Sequence, residues 1–276
     1  MKLYADGLGE TLGGDVLAGL RPIYGSSKIW YVDSATGVDA GTADSNEQHP
    51  FKSVSYAIGK VAKGDIIVLA STHDETLTVP TSIAGGADEV TIVGVGTTSG
   101  KPSACITIGA AGANINFGGV AGMHLRNIRF KQSTATTASA ANIQMGGSCR
   151  IAGCWFESGA FDTKPFVTLD ACTGYVVRIE NSTFLSTDTQ ATPTAGAGLA
   201  WTAAGSAMRL ELDGVTFDGG TKGYSAYALD GSAAALYSLR GTNVSLLRGA
   251  DVIFHANTAG FIHIAPAASG GGKVSW

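Results

Sequence analysis

Leu125-Arg126-Asn127-Ile128-Arg129-Phe130 is the first clear copy of a motif that returns along the chain: aliphatic, any residue, Asn or Gly, any two, Phe. The next copies are Ile151-Ala152-Gly153-Cys154-Trp155-Phe156, Ile179-Glu180-Asn181-Ser182-Thr183-Phe184 and Leu212-Asp213-Gly214-Val215-Thr216-Phe217. A fifth, Leu239-Arg240-Gly241-Thr242-Asn243-Val244, has Val in place of Phe. The anchors Asn127, Gly153, Asn181, Gly214 and Gly241 thus recur at a nearly even interval. Thr91-Ile92-Val93-Gly94 reads as a degenerate copy one interval before Asn127. Asn and Gly tolerate a left-handed backbone, where a β-branched residue is strained. Each anchor therefore reads as a corner, with the aliphatic before it and the Phe after it entering one core from two strands.

Short apolar runs stand between the copies at 115–117, 143–145, 166–169, 199–201, 227–229 and 261–264. One repeat thus supplies two or three short strands and nothing of helix length. Units of this kind stack coil on coil. The expected fold class is all-β: a right-handed parallel β-helix, or solenoid, with rungs over residues 64–264 and a C-terminal strand or tail at 265–276.

Composition agrees. The 276 residues include 40 Ala, 39 Gly, 27 Thr and 23 Ser, nearly half the chain, while 45% are hydrophobic. Small residues suit side chains stacked rung over rung, and the apolar content excludes general disorder. No apolar run reaches the length of a membrane-spanning helix. A net charge of −4 with no basic run gives no sequence-independent grip on nucleic acid. Residues 1–7 lack the apolar core of a secretory signal. Cys105, Cys149, Cys154 and Cys172 form no CxxC pair, so they read as buried thiols and not as a zinc site.

Upstream of the repeats, residues 51–63 carry apolar side chains at 51, 54, 58 and 61, which predicts an amphipathic helix covering the open end of the core. Ile66–Ala70 follows as a buried strand. The run Ile29-Trp30-Tyr31-Val32-Asp33, the stretch His49-Pro50-Phe51-Lys52-Ser53-Val54-Ser55-Tyr56-Ala57-Ile58 and Lys63-Gly64-Asp65-Ile66-Ile67-Val68-Leu69 together resemble the start of pectate-lyase-like right-handed β-helix proteins. That resemblance implies the fold. It implies no single activity, because the fold hosts lyases, hydrolases, spikes and inert scaffolds.

Residues 1–28 scatter Tyr4, Leu8, Leu12, Val16, Leu17, Leu20, Ile23 and Tyr24 among glycines. They read as an N-terminal docking arm ahead of a single β-helix domain at 29–276. An arm before a β-helix is similar to virion proteins of tailed bacteriophages.

The candidate chemistry is sparse. The lyase pattern of stacked calcium-binding acids is missing, and the position before each anchor carries Arg126, Ala152, Glu180, Asp213 and Arg240. Glycoside hydrolases need two carboxyls at about 5 or about 6.5–9.5 Å. Glu157 and Asp218, each following a repeat Phe, are two rungs apart at roughly 9–10 Å, with Asp162 and Asp188 in the connections. Asp170 and Asp230 read as turn residues. His49, His124, His255 and His263 have no partner set, and His73-Asp74-Glu75 reads as a solvated turn. Residues 94–102 fail as a phosphate-binding loop. The sequence expectation is a non-enzymatic virion protein, a capsid decoration binding the major capsid protein or another virion protein, homotrimeric, with no cofactor and no metal. The alternative is a spike that binds or cleaves bacterial glycan through loops on one face.

Overall fold

The computed structural model describes residues 27–40, 45–83, 85–110, 112–132, 143–159, 165–169, 175–187, 198–201, 208–221, 229–231, 236–248, 252–254, 261–266 and 274–275. They form an all-β, right-handed parallel β-solenoid with one short helix. Three faces wrap the main core, and a second small cluster of Ile66, Val68, Val93 and Val95 is buried apart from it. The first face runs Ile29–Val32, Ile66–Leu69, Thr91–Gly94, Met123–Arg126, Cys149–Ala152, Val176–Glu180, Met208–Asp213 and the start of Leu236–Leu247, with Phe261–Pro266 beyond it. The second runs Asp74–Leu77, Cys105–Ile108, Arg129–Gln132, Trp155–Ser158, Thr183–Ser186, Thr216–Asp218 and the end of Leu236–Leu247. The third begins at Thr81–Ser82 and Ile115–Phe117 and ends at Val252–Phe254 and Val274–Ser275.

The corner between the first two faces is left-handed at Asn127 (φ 50°), Gly153 (64°), Asn181 (46°) and Gly214 (63°). The fifth corner is not Gly241. It is Asn243 (φ 53°), because Leu212 pairs with Gly241 and Asp213 with Thr242. The fifth copy is therefore Gly241-Thr242-Asn243-Val244-Ser245-Leu246, later by two positions than the Val-for-Phe alignment implies. The physical reason lies after the corner, where Ile128, Cys154, Ser182, Val215 and Val244 are all buried. That position selects the register, and Leu246 then takes the place of Phe over Phe217.

Correct register stacks the aromatic rings. Phe130, Phe156, Phe184 and Phe217 lie one over another with centroids 5.3, 4.6 and 5.1 Å apart and interplanar angles of 4°, 13° and 15°. All four are fully buried. Phe166 meets Phe156 edge-on from the third face. The run at 261–264 does not continue that third face as the spacing predicts. It pairs with Leu236–Leu247 on the first, and Val252–Phe254 takes the third-face position.

The helix expected over 51–63 is only Val54–Ile58. Ser53 caps it, its hydroxyl accepting the Tyr56 N–H, and Gly59 ends it. Phe51 instead bridges to Val32, while the Asp39 carboxylate holds the N–H groups of Lys52 and Ser53. Val54, Ala57 and Ile58 join the core. Asp65, buried, accepts from Lys28 N, Trp30 Nε1 and Ala62 N at 2.7, 2.8 and 2.9 Å, which fastens the first strand to the first rung. The docking arm at 1–28, with its eight apolar side chains, lies outside the described residues except for positions 27 and 28.

Phe156→Ala is expected to lower unfolding stability by about 3–5 kcal/mol, since the cavity is walled by two stacked rings and cannot collapse. Urea titration measures it, and a loss below about 1 kcal/mol would contradict the ring stack as a core element. Asn243→Val, which strains the left-handed corner, should cost more than Gly241→Ala in the same assay.

Candidate functional site

The second face carries the acids singled out above. Its outward columns are read from the pairing: Arg129, Trp155, Thr183 and Thr216 in one, Lys131, Glu157, Leu185 and Asp218 in the other. Glu157 and Asp218 do share a column two rungs apart, with Leu185 between them.

Both carboxylates are occupied by cations of their own chain. Arg129 makes a fork to Glu157, with Nη2 at 2.9 and 3.0 Å from Oε1 and Oε2 and Nε at 3.1 Å from Oε1. Lys101 Nζ stands 3.3 Å from the same oxygen and 4.5 Å from the centre of the Trp155 ring. Arg248 makes a second fork, to Asp218, which also accepts the Gly220 N–H at 2.9 Å. Burial works to raise the Asp218 pKa, but the Arg248 and Gly220 hydrogen bonds outweigh it and hold the carboxyl below its ordinary value. A carboxyl so held is a poor general acid, because catalysis needs one raised toward neutrality. Glu157 and Asp218 are thus each held in an ion pair with a cation of an adjacent rung or turn. Asp162, Asp170 and Asp188 lie outside the described residues, as do His255 and Cys172, and the side chains of Asp230 and His263.

The first face bears the other charge ladder. Going down the solenoid, one outward column reads His124, Arg150, Arg178, Glu211, Arg240, and its neighbour reads Arg126, Ala152, Glu180, Asp213, Thr242. Arg240 thus lies beside Glu211 and not Asp213, a consequence of the shifted register of the fifth copy. Arg150 pairs with Glu180 at 2.5 Å, and Glu211 takes Arg178 at 2.6 Å and Arg209 at 2.7 Å. A shallow cleft of about 240 Å³ opens over Arg178, Glu180, Glu211, Asp213 and Arg240.

His73 is not in a solvated turn. It is 0% exposed, with Nδ1 accepting the Ser34 N–H at 3.1 Å and Nε2 3.3 Å from Glu75 Oε2. Glu75 Oε2 also accepts the Val54 N–H at 2.7 Å and so ties its strand to the helix, while His73, through Nδ1, holds the Ser34 turn; its Nε2 makes no hydrogen bond. Asp33, in the same turn, accepts from Ala35, Thr36 and Thr72; burial opposes its ionisation, yet these bonds keep its pKa below the ordinary value. No pattern in the sequence marks His73 as buried, because the Ser34 turn that covers it belongs to the preceding coil. His49 lies at the isolated bridge to Asn46, and His124 is half-buried on the first face. Thr97–Thr98 and Lys101–Pro102 form a short antiparallel ribbon turning through Ser99 and Gly100, both at positive φ, and not a phosphate cradle.

Cys105, Cys149 and Cys154 are buried and stand in no disulfide, and burial pushes the Cys154 thiol up to about 12. Among the described residues no three His, Cys, Asp or Glu side chains converge on a metal position, and no helix is long and apolar enough to cross a membrane. No family model matches the chain, nor does a curated protein or a solved structure.

Asp218 generates a pH prediction. Its folded pKa is depressed below 3.8, so the stability it contributes is full above the ordinary carboxylate range and is lost as pH falls through the folded value. The stability gap between the wild type and Asp218→Asn should therefore be constant from about pH 6 to 8 and close below about pH 4. Urea midpoints across that range measure it; a gap that widens in acid would contradict the Arg248 fork.

Proposed function

We propose that this chain is a non-enzymatic structural protein, a pectate-lyase-like β-helix serving as a capsid decoration on the virion of a tailed bacteriophage. The observation that carries the non-enzymatic part is the locking of Glu157 by Arg129 and Lys101 and of Asp218 by Arg248. The acids best spaced for glycan hydrolysis stabilise their own rungs instead. The virion part rests on the resemblance of residues 29–79 and on the apolar, glycine-rich composition of residues 1–28.

In this reading the arm docks to the major capsid protein or another virion protein. Helix Val54–Ile58 closes the N-terminal end of the core, which protects the edge formed by Ile29–Val32 from pairing with another chain. Three copies associate side by side. A rigid, small-residue solenoid with few charges suits a shell component better than a catalyst, since a charged site needs material that a 14% charged chain has little of.

Deleting residues 1–28 should leave the β-sheet circular dichroism unchanged and abolish co-sedimentation with capsids lacking the protein. Retained co-sedimentation would exclude the arm as the dock. Release of reducing sugar from bacterial surface polysaccharide by the wild type, lost in Glu157→Gln/Asp218→Asn, would establish the glycan-cleaving spike in place of the scaffold.

A further inference from the structure

The outward side of the first face concentrates charge out of proportion to the chain. Arg126, Arg150, Arg178, Arg209 and Arg240 stand on adjacent strands, five of 18 Lys and Arg, interleaved with Glu180, Glu211 and Asp213. Five arginines against three carboxylates leave +2, so the rest of a chain of net −4 carries −6. The internal pairs use Arg150, Arg178 and Arg209 against Glu180 and Glu211. Among the described residues, neither Arg126 nor Arg240 has a carboxylate within ion-pair distance, and Asp213 has no cation there. Burial first, and then Arg150, lowers the Arg126 pKa, as expected of a guanidinium held among like charges.

These groups are arranged along the solenoid axis. Arg126 and Arg240 are four rungs apart, about 19 Å along the axis at the interstrand spacing, in neighbouring columns; Asp213 stands in Arg126's column, one rung before Arg240, and the 240 Å³ cleft lies beside Arg240. At the margin of the same face, Tyr175 and Val176 are 44% and 37% exposed, two of the few large apolar side chains that are. Tyr and Arg are the side chains that most often anchor protein interfaces, and an exposed apolar margin is what an interface excludes water from.

We propose that this face is a docking surface for a partner protein that presents carboxylates opposite Arg126 and Arg240 and a cation opposite Asp213. The interleaving decides the class of partner. A uniform polyanion, whether nucleic acid, polyphosphate or acidic glycan, laid from Arg126 to Arg240 would bring charge against Glu180, Glu211 and Asp213 on two of the strands between them. A protein surface can match both signs, and complementary charge of this kind sets register and association rate. A second copy of the chain is the less suited occupant, because the same face on both would set arginine against arginine. The surface is built from residues other than 1–28, so its test is independent of the arm's role as the dock.

The test uses the full chain and its Arg126→Gln/Arg240→Gln variant, with Lys52→Gln/Lys60→Gln as a control of equal charge change near the helix. The probes are a glutamate-rich Glu/Lys copolymer, polyphosphate and duplex DNA, measured by fluorescence anisotropy at low and at physiological salt. The copolymer should bind the wild type and the control alike, bind the arginine variant about tenfold more weakly, and exceed polyphosphate and DNA. Thermal unfolding of the variant should match wild type, because neither arginine makes an ion pair. Equal loss in the control, tighter binding of polyphosphate or DNA, or no copolymer binding at low salt each overturns the proposal. So does sedimentation showing that the arginine variant turns an oligomer into a monomer, since the face would then belong to a second copy.

Discussion

The left-handed corner between the first and second faces is the constraint on which the rest depends. From Met123–Arg126 onward each rung turns there at a single position, at Asn127, Gly153, Asn181, Gly214 and Asn243, whereas the two preceding rungs cross through residues 70–73 and 95–104. The choice between Asn and Gly is local. Asn127 sends its Nδ2 back to the carbonyls of Gly94 and Gly96, 2.8 and 3.1 Å away, and so ties two rungs together. Gly214, at φ 63°, sits where a Cβ would come within 2.5 Å of Asn181 Oδ1, so a side chain there requires the Asn181 amide to move. A turn repeated at one azimuth brings Phe130, Phe156, Phe184 and Phe217 over one another. Misplacing it by one position would turn a rung's apolar set outward.

The same stacking governs the polar surface. Side chains in an outward column are neighbours for as long as the solenoid runs, so a carboxylate is close to whatever the adjacent rungs carry. Glu157 is nearly buried, and an unpaired charge there would carry a large desolvation penalty. Arg129 and Lys101 offset it. Asp218 and Arg248 repeat the solution lower down. The cation that makes each acid tolerable also occupies its carboxylate oxygens.

Stability at the N-terminal end has another source. There Asp65 gathers three N–H donors, and His73 with Glu75 joins the first turn, the first rung and the helix start. These are polar staples around a short helix whose Val54, Ala57 and Ile58 join the core.

How much was legible in the chain follows from what is local. The Asn/Gly corner, the Phe that closes each motif and the β-strand lengths are properties of one short stretch, so the solenoid and four of its five corners could be read directly. The fifth could not, since Gly241 and Asn243 both tolerate the turn and only burial of Val244 against Val215 selects Asn243. The placement of 261–264 on the first face, the burial of His73 and the shortening of the helix to Val54–Ile58 have the same origin: contacts with neighbouring coils, distant along the chain, decide them. Candidate acids were visible at the right spacing, while the arginines that neutralise them stand on the adjacent rungs. The sequence by itself determined the corner, the repeat and hence the solenoid; tertiary structure alone decided register and charge pairing, because both are set by what an adjacent rung happens to carry.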